Sequence, residues 1–426
     1  MRLALSTYAT LVAAVTLTTS TLASCGSKNG NSFGDAGVDA DFANNCGHAD
    51  CDGDGYAKPA DCNDNDPMVN PEAYDFPNDG IDNDCNGAAD DPVETCETIP
   101  AQSPGSPTDF VRAADMCQQK SKTNDGTIFD PLVHAEWGKL KGYGPGQRLW
   151  TSETKMQQVN IVSSFGDDKP RRGQTMFGLS NGPWGTRTPR ESAPLDDPAF
   201  KLNDACADIP LTGADCTSLS NGASAGGLSV QDWAELAVTV KVPSNVQTMV
   251  FDFSFFSTEF NQFWNAALND AFFVLVTSQK LAGTNVAKDA NGLAITVNSG
   301  FFQLCAKAPG PPGLSPDKSA ALASCVGIDG DASKSVFGSL KSTGFDGAGS
   351  NRSDGTALSQ DGTKTYVYGG GSGWLTAKFA VVPREVLTMR IIVHDTFDGL
   401  KDSAVLFDAL RWERDATSGG VQRPPR

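Results

Sequence analysis

Apolar and polar residues alternate most regularly in the second half of the chain. Leu236, Val238, Val240 and Val242 are separated by Ala237, Thr239 and Lys241, the period-two pattern of a half-buried strand. Phe251, Phe253 and Phe255 alternate with Asp252 and Ser254. Asp270 to Thr277 is an almost unbroken apolar run, as in a strand covered on both faces. Shorter strand signals lie at 159–162, 294–297 and 301–304. Three more strands are predicted over 373–382, 385–394 and 403–412, with Leu387, Met389, Ile391 and Val393 sharing one face. A helix is predicted within 107–119, where Phe110, Val111, Ala114 and Met116 cluster. The stretches 185–227 and 306–372 are rich in Gly, Ser, Pro and Asp and read as loops. Short alternating strands with glycine-rich connections predict an all-β fold, a jelly-roll-like β-sandwich over 108–414. The polar tail, 415–426, is expected to be disordered.

The alternation is missing from Asp50 to Asp91. Thirteen carboxylates stand there against a single lysine, so twelve of the chain's eighteen net negative charges fall in this one stretch. Without counter-ions these groups repel one another. Hard divalent cations relieve the repulsion, because they prefer oxygen from Asp, Asn and backbone carbonyls. An acidic disordered linker is the alternative; cysteines at 51, 62 and 85, set inside the stretch, argue against it.

The spacing of the oxygens is specific. Asp50, Asp52 and Asp54 occupy positions 1, 3 and 5 of a calcium loop, with Gly55 at position 6, the Tyr56 carbonyl at position 7 and Asp61 at position 12. The pattern returns at Asp82, followed by Asp84, Asn86 and Gly87, with the Ala88 carbonyl and Asp90 completing it. A weaker version begins at Asp61 and runs through Asn63 and Asn65 to Glu72, with Asp66 where glycine is expected. The expectation is a small irregular calcium module over 46–96, holding two calcium ions or three.

Asp-Gly-Asp-Gly-Tyr at 52–56, Asp-Cys-Asn-Asp-Asn-Asp at 61–66 and Asp-Gly-Ile-Asp-Asn-Asp-Cys-Asn-Gly at 79–87 resemble the MopE-like metal-binding motif of bacterial surface proteins. The resemblance covers about a tenth of the chain and implies a disulfide between Cys62 and Cys85. The family name points to copper. Copper favours imidazole, thiolate and thioether, and only His48 and Met68 lie nearby, so the residues point to calcium.

The N-terminus reads as an export signal. Arg2 is followed by an apolar stretch from Leu3 to Leu22, too polar and too poorly flanked for a permanent membrane span. Leu22-Ala23-Ser24-Cys25 resembles a bacterial lipobox, which implies cleavage before Cys25 and its lipidation. An ordinary secretory signal is the alternative. Residues 26–45 are rich in Gly, Ser, Asn and Asp and read as a flexible tether. Residues 97–107 form a Pro/Ser linker ahead of the sandwich. Eleven cysteines become an even ten once Cys25 is lipidated, which suits pairing in an oxidising compartment. Cys206 with Cys216, and Cys305 with Cys325, are pairings suggested by proximity alone. Zinc is disfavoured because there is no C-x-x-C pair. With no basic patch or arginine-rich helix, nucleic acid is not an expected partner.

A second resemblance lies in the strand region. Phe251 to Phe260, Leu268 to Phe273, Asn298 to Phe301, and Asp395-Thr396 through Asp402 to Asp408 resemble the choice-of-anchor L domain, in particular of myxobacterial surface lipoproteins, over roughly 105–413. Where that family usually has a proline after the aromatic, this chain has Asn261-Gln262. The resemblance implies an exported sandwich with no established catalytic activity. Three other chemistries have candidate residues. Gly222-Ala223-Ser224-Ala225-Gly226 matches a nucleophile elbow, but loop rather than buried strand precedes it. Glu259 and Asp270 are a carboxylate pair of the kind glycosidases use or, more simply, one that binds calcium or hydrogen-bonds within the sandwich, and Phe255, Phe256, Phe260, Phe263 and Trp264 are a sugar platform or, more simply, core. The sequence therefore predicts a non-enzymatic calcium-binding lipoprotein of the outer membrane. Its expected partner is a surface polysaccharide or another envelope protein, in an adhesive or matrix-binding role; a secreted hydrolase or carbohydrate-binding sandwich is the opposing reading.

Overall fold

The computed structural model describes residues 49–91, 106–116, 131–137, 158–181, 229–260, 270–289, 294–302, 369–396 and 402–423. Shorter described pieces are 46, 121–122, 128–129, 184, 200–201, 292, 304–305, 327–328, 340, 343, 345, 357–358 and 365–366. Cys25, the tether, the Gly222–Gly226 segment, Phe263, Trp264, Cys206, Cys216 and Cys325 lie outside the described residues. Of the two units in the chain, Met1–Gly47 is almost wholly outside them, and His48–Arg426 contains both the acidic stretch and the strands.

Eleven strands carry the architecture: β1 (Leu132–Trp137), β2 (Val159–Val162), β3 (Met176–Ser180), β4 (Ser229–Lys241), β5 (Thr248–Ser257), β6 (Ala271–Thr277), β7 (Ala282–Asn285), β8 (Gly370–Ala380), β9 (Val386–Thr396), β10 (Ser403–Glu413) and β11 (Gly420–Gln422). They form two antiparallel sheets, one ordered β7-β6-β9-β4-β1 and the other β8-β5-β10-β3-β2, with two-residue strands at their margins. The fold is the expected all-β sandwich. The one α-helix among the described residues, α1 (Pro107–Ala113), buries Phe110, Val111 and Ala113. Its first turn is fixed by Asp109, which accepts the Ser106 backbone N–H at 2.8 Å.

Register explains why the alternating residues meet. In the first sheet Val238 lies opposite Met389, and Leu236 opposite Ile391, so both apolar rows face the same core. In the second sheet Phe253 lies opposite Phe407. A run of ring contacts spans the sandwich: Phe177 to Phe407 at 5.1 Å, Phe407 to Phe251 at 4.7 Å, and Phe253 to Phe272 of the opposite sheet at 4.8 Å. Side chains at this spacing give directional ring contacts on top of burial. Phe255 and Phe260 belong to this core and Phe256 to a second cluster with Phe165, Trp184 and Phe345 on the outer face. The three described phenylalanines of the candidate platform, Phe255, Phe256 and Phe260, are at most 1% exposed. Gly178 is required beneath Trp184, where a Cβ would stand 2.3 Å from the indole ring.

Several elements differ from the sequence expectation: β1 and β7 carry no predicted strand, and of the strand expected at 301–304 only Leu304 pairs among the described residues. Met176–Ser180, without an alternating pattern, is a fully buried strand between β10 and β2. The tail after Arg414, expected to be disordered, instead contributes β11, which pairs with β8 through Thr376 and Gln422. Arg423 then donates to the Ser372 and Phe301 carbonyls at 2.9 and 2.8 Å. Polar tail residues find backbone partners here, which composition does not reveal.

Candidate metal centre

Residues 49–91 contain turns and bends only. What shapes them is the short Asp and Asn side chain, which accepts a backbone N–H two residues on and so folds the chain around itself. Both full calcium-loop patterns do this alike. Asp50 Oδ2 accepts the Gly55 N–H at 3.0 Å, and Asp82 Oδ2 accepts the Gly87 N–H at 2.9 Å. Asp52 Oδ1 accepts from Asp54 and Asp84 Oδ1 from Asn86. Asp54 Oδ1 accepts from Tyr56 and Asn86 Oδ1 from Ala88. Gly55 and Gly87 take φ of +99° and +95°, a region that glycine enters without steric cost.

The loops differ in what they bring together. In the first, ligand oxygens of Asp52, Asp54 and Asp61 lie within 4.8 Å of one another, as do those of Asp50, Asp52 and Asp64. Asp54 is 5% exposed and Asp61 1%. The Oδ2 atoms of Asp52, Asp54 and Asp61 are buried without a hydrogen-bond partner. Burial pushes the Asp61 carboxyl up to about 6, the backbone N–H of Asn63 opposes this, and the charges of Asp54, Asp52 and Asp64 add to the rise. Asp54 is also raised, chiefly by burial, with the Tyr56 N–H, Arg384 and Asn70 partly offsetting it. Buried like charges of this kind are costly unless a cation lies among them. The donor set is all oxygen, which fits a hard divalent ion.

In the second loop Asp84 meets Asp75 and Asp91. Asp84 is fully buried, and burial, then the charge of Asp91, pushes it up to about 7. Asp75 receives the N–H groups of Asn83 and Asp91.

The remaining predicted ligands stand elsewhere. Glu72 pairs with Lys241 at 2.5 Å and with Arg384 at 3.4 Å, and belongs to none of the carboxylate groups. Asp90 turns away to accept the N–H groups of Asp79 and Gly80. Asn63 and Asn65 contribute backbone turns, Asn63 N–H to Asp61 and Asn65 N–H to the Asn63 carbonyl. Tyr56 lies beneath Arg384, 5.7 Å from the ring centre, and its hydroxyl is pushed up to about 12 by burial and by Glu72. Asp64, Asp75 and Asp91 are cluster members the sequence reading did not select. They fall off the twelve-residue spacing and arrive through the tertiary fold.

Cys62 and Cys85 form a disulfide, with Cα atoms 5.4 Å apart. Each cysteine directly follows a cluster aspartate, Asp61 or Asp84, so the bond ties the two loops together. Cys46 and Cys51 are also disulfide-bonded.

The module is seated on the turn between β4 and β5. Ser244 donates its N–H to the Glu72 carbonyl and its hydroxyl to Asn70 Oδ1. Asn245 bonds Met68 and Tyr74. Tyr74 and Phe76 pack against the sandwich core, and Arg414 covers Phe76 at 4.5 Å while reaching Asp79 at 2.8 Å.

The other candidate chemistry lies in the sandwich interior. Glu259 and Asp270 are 3% and 0% exposed; Glu259 accepts the Asp270 N–H and Asp270 accepts the Asn181 amide. His394 is buried and stacks on Phe273 at 5.1 Å.

No curated protein and no solved structure matches the chain. A family model does: residues 61–91 are similar to the MopE copper-binding family, described as "Putative metal-binding motif". That segment begins at Asp61, so Asp50, Asp52 and Asp54 precede it, and the chain carries a metal-binding motif whose densest carboxylate cluster straddles its start.

Proposed function

We propose that this protein is a non-enzymatic, calcium-stabilised lipoprotein of the outer membrane, in which the metal module is built into one end of an adhesive or matrix-binding sandwich. The observation that carries the reading is the set of buried, unpartnered oxygens on Asp52, Asp54 and Asp61. Calcium is favoured over copper by the donors. The sulfurs beside the site, Cys62 and Cys85, are joined to each other and are not thiolates, whereas copper seeks thiolate, thioether or imidazole. The anchor rests on Leu22-Ala23-Ser24-Cys25 and the tether after it. The resemblance to the choice-of-anchor L domain supports an envelope sandwich; the partner is a surface polysaccharide or another envelope protein.

Elemental analysis of the purified mature protein, equilibrated with a mixture of calcium, magnesium, zinc and copper and then desalted, tests the metal. Calcium is expected to be retained. Retention of copper alone, or of no metal, would overturn the reading.

A further inference from the structure

The two calcium-like loops differ by one atom at a decisive place. At position 5 the first loop has Asp54 and the second Asn86. Both side chains use Oδ1 in the same way, accepting the N–H two residues on, at 2.8 Å from Tyr56 and 2.9 Å from Ala88. That bond sets the direction of the other terminal atom. In Asp54 this is Oδ2, an oxygen buried without a hydrogen bond, in the same group as Asp52 and Asp61; the nearby Asn70 amide favours the charge of Asp54 but gives its hydrogen bond to the Pro67 carbonyl. In Asn86 it is Nδ2, which donates to Asp84 Oδ2 at 3.1 Å and to Asp91 Oδ2 at 2.5 Å. The second cluster is thus satisfied from within: an amide nitrogen bridges two of its carboxylates, as a cation would. Turning the Asn86 amide over would lose the Ala88 bond and set the NH₂ group against that N–H, two donors facing each other. Every buried carboxylate oxygen without a partner in residues 49–91 belongs to the first cluster.

We propose that the module holds one hard cation, between Asp52, Asp54 and Asp61, and that the loop of Asp82 to Asp91 is a cation loop closed by the side-chain amide of Asn86. This replaces the two or three ions that loop spacing alone predicts. It rests on the cation-binding reading above and adds which loop binds and what shuts the other. The Asp54 position lies outside the matched segment 61–91, so the binding centre is completed by residues preceding the recognised motif.

The test is calcium stoichiometry on the chelator-stripped, disulfide-intact full chain, by equilibrium dialysis with calcium alone. The wild type binds one ion per chain. Asn86→Asp replaces the bridging amide with an oxygen and raises the count to two. Asp54→Asn makes the reciprocal exchange and lowers it to zero. Asn86→Ala, which removes the amide without adding charge, also gains an ion and serves if Asn86→Asp fails to fold. Two ions on the wild type would overturn the inference while leaving calcium binding intact. One ion on both folded Asn86 variants would overturn the role of the amide. No ion on the wild type would overturn the cation reading itself and the inference with it.

Discussion

Asn245 holds Tyr74 by both ends of its backbone: Asn245 Oδ1 accepts the Tyr74 N–H at 2.8 Å, and Asn245 Nδ2 donates to the Tyr74 carbonyl at 2.9 Å. The same amide donates to the Met68 carbonyl at 3.2 Å. One fully buried side chain therefore pins the acidic module to the turn between β4 and β5. Asn245→Ala leaves these backbone groups without partners, at a cost of about 1–3 kcal/mol for each group kept from water. Chemical denaturation is expected to show a loss of roughly 2–4 kcal/mol, and limited proteolysis to cut first within 62–91. Unchanged stability and protease resistance would mean that the module is held by other contacts.

Glu72 separates spacing from structure. Twelve-residue counting from Asp61 makes it a calcium ligand, whereas its carboxylate pairs with Lys241 and Arg384. Glu72→Gln is expected to leave calcium affinity within about twofold and to cost about 1 kcal/mol or less, because both cations are partly exposed. Titration calorimetry reads the affinity; a tenfold loss would restore Glu72 to the site.

Much of the sandwich is legible because period-two alternation is set by the pleat. Leu236 to Val242 and Leu387 to Val393 could be assigned a face before their partners were known, and both rows face the core. Met176–Ser180 was not legible, because a strand buried on both faces has no alternation. In the module, the loops around Asp50 and Asp82 are legible because a local Asp-to-N–H bond follows local spacing. Asp64, Asp75 and Asp91 are brought in by the folded module, which twelve-residue counting does not encode. Tyr74 and Phe76, two aromatics amid the acids, are the residues that join module to core; isolated apolar residues have no period to reveal them.

Asp408 gives the sandwich a pH dependence of its own. Burial, and then the charge of Asp115, pushes its carboxyl up to about 8, against the N–H groups of Arg171, Ala409 and Arg172. In the unfolded chain the group titrates near about 3.9. The folded state therefore holds the proton more tightly, and this contribution to stability is complete below about pH 4 and lost as pH rises to about 8. Asp408→Asn is expected to flatten the fall between pH 5 and pH 8, so the variant compares better with the wild type at pH 8 than at pH 5. Denaturation midpoints across that range check it; parallel curves for the two proteins would contradict it.

Cys25 is the test of the anchor. If it is lipidated, more than one acyl chain secures the protein, as stable anchoring requires. The wild type is expected in the membrane fraction and Cys25→Ala in the soluble fraction. Equal solubility of the two would remove the lipoprotein assignment.

A hard cation among Asp52, Asp54 and Asp61 is expected to stabilise the module fused to the sandwich. The most direct measurement is thermal unfolding of the full chain, in chelator and in calcium at about 100 times the dissociation constant, for the wild type and for Asp61→Asn. Linkage at that excess is worth about 2.7 kcal/mol. Calcium should raise the wild-type midpoint by about 5 °C and leave that of Asp61→Asn nearly unmoved. Identical wild-type melting in chelator and in millimolar calcium, with a rise on adding copper instead, would contradict it.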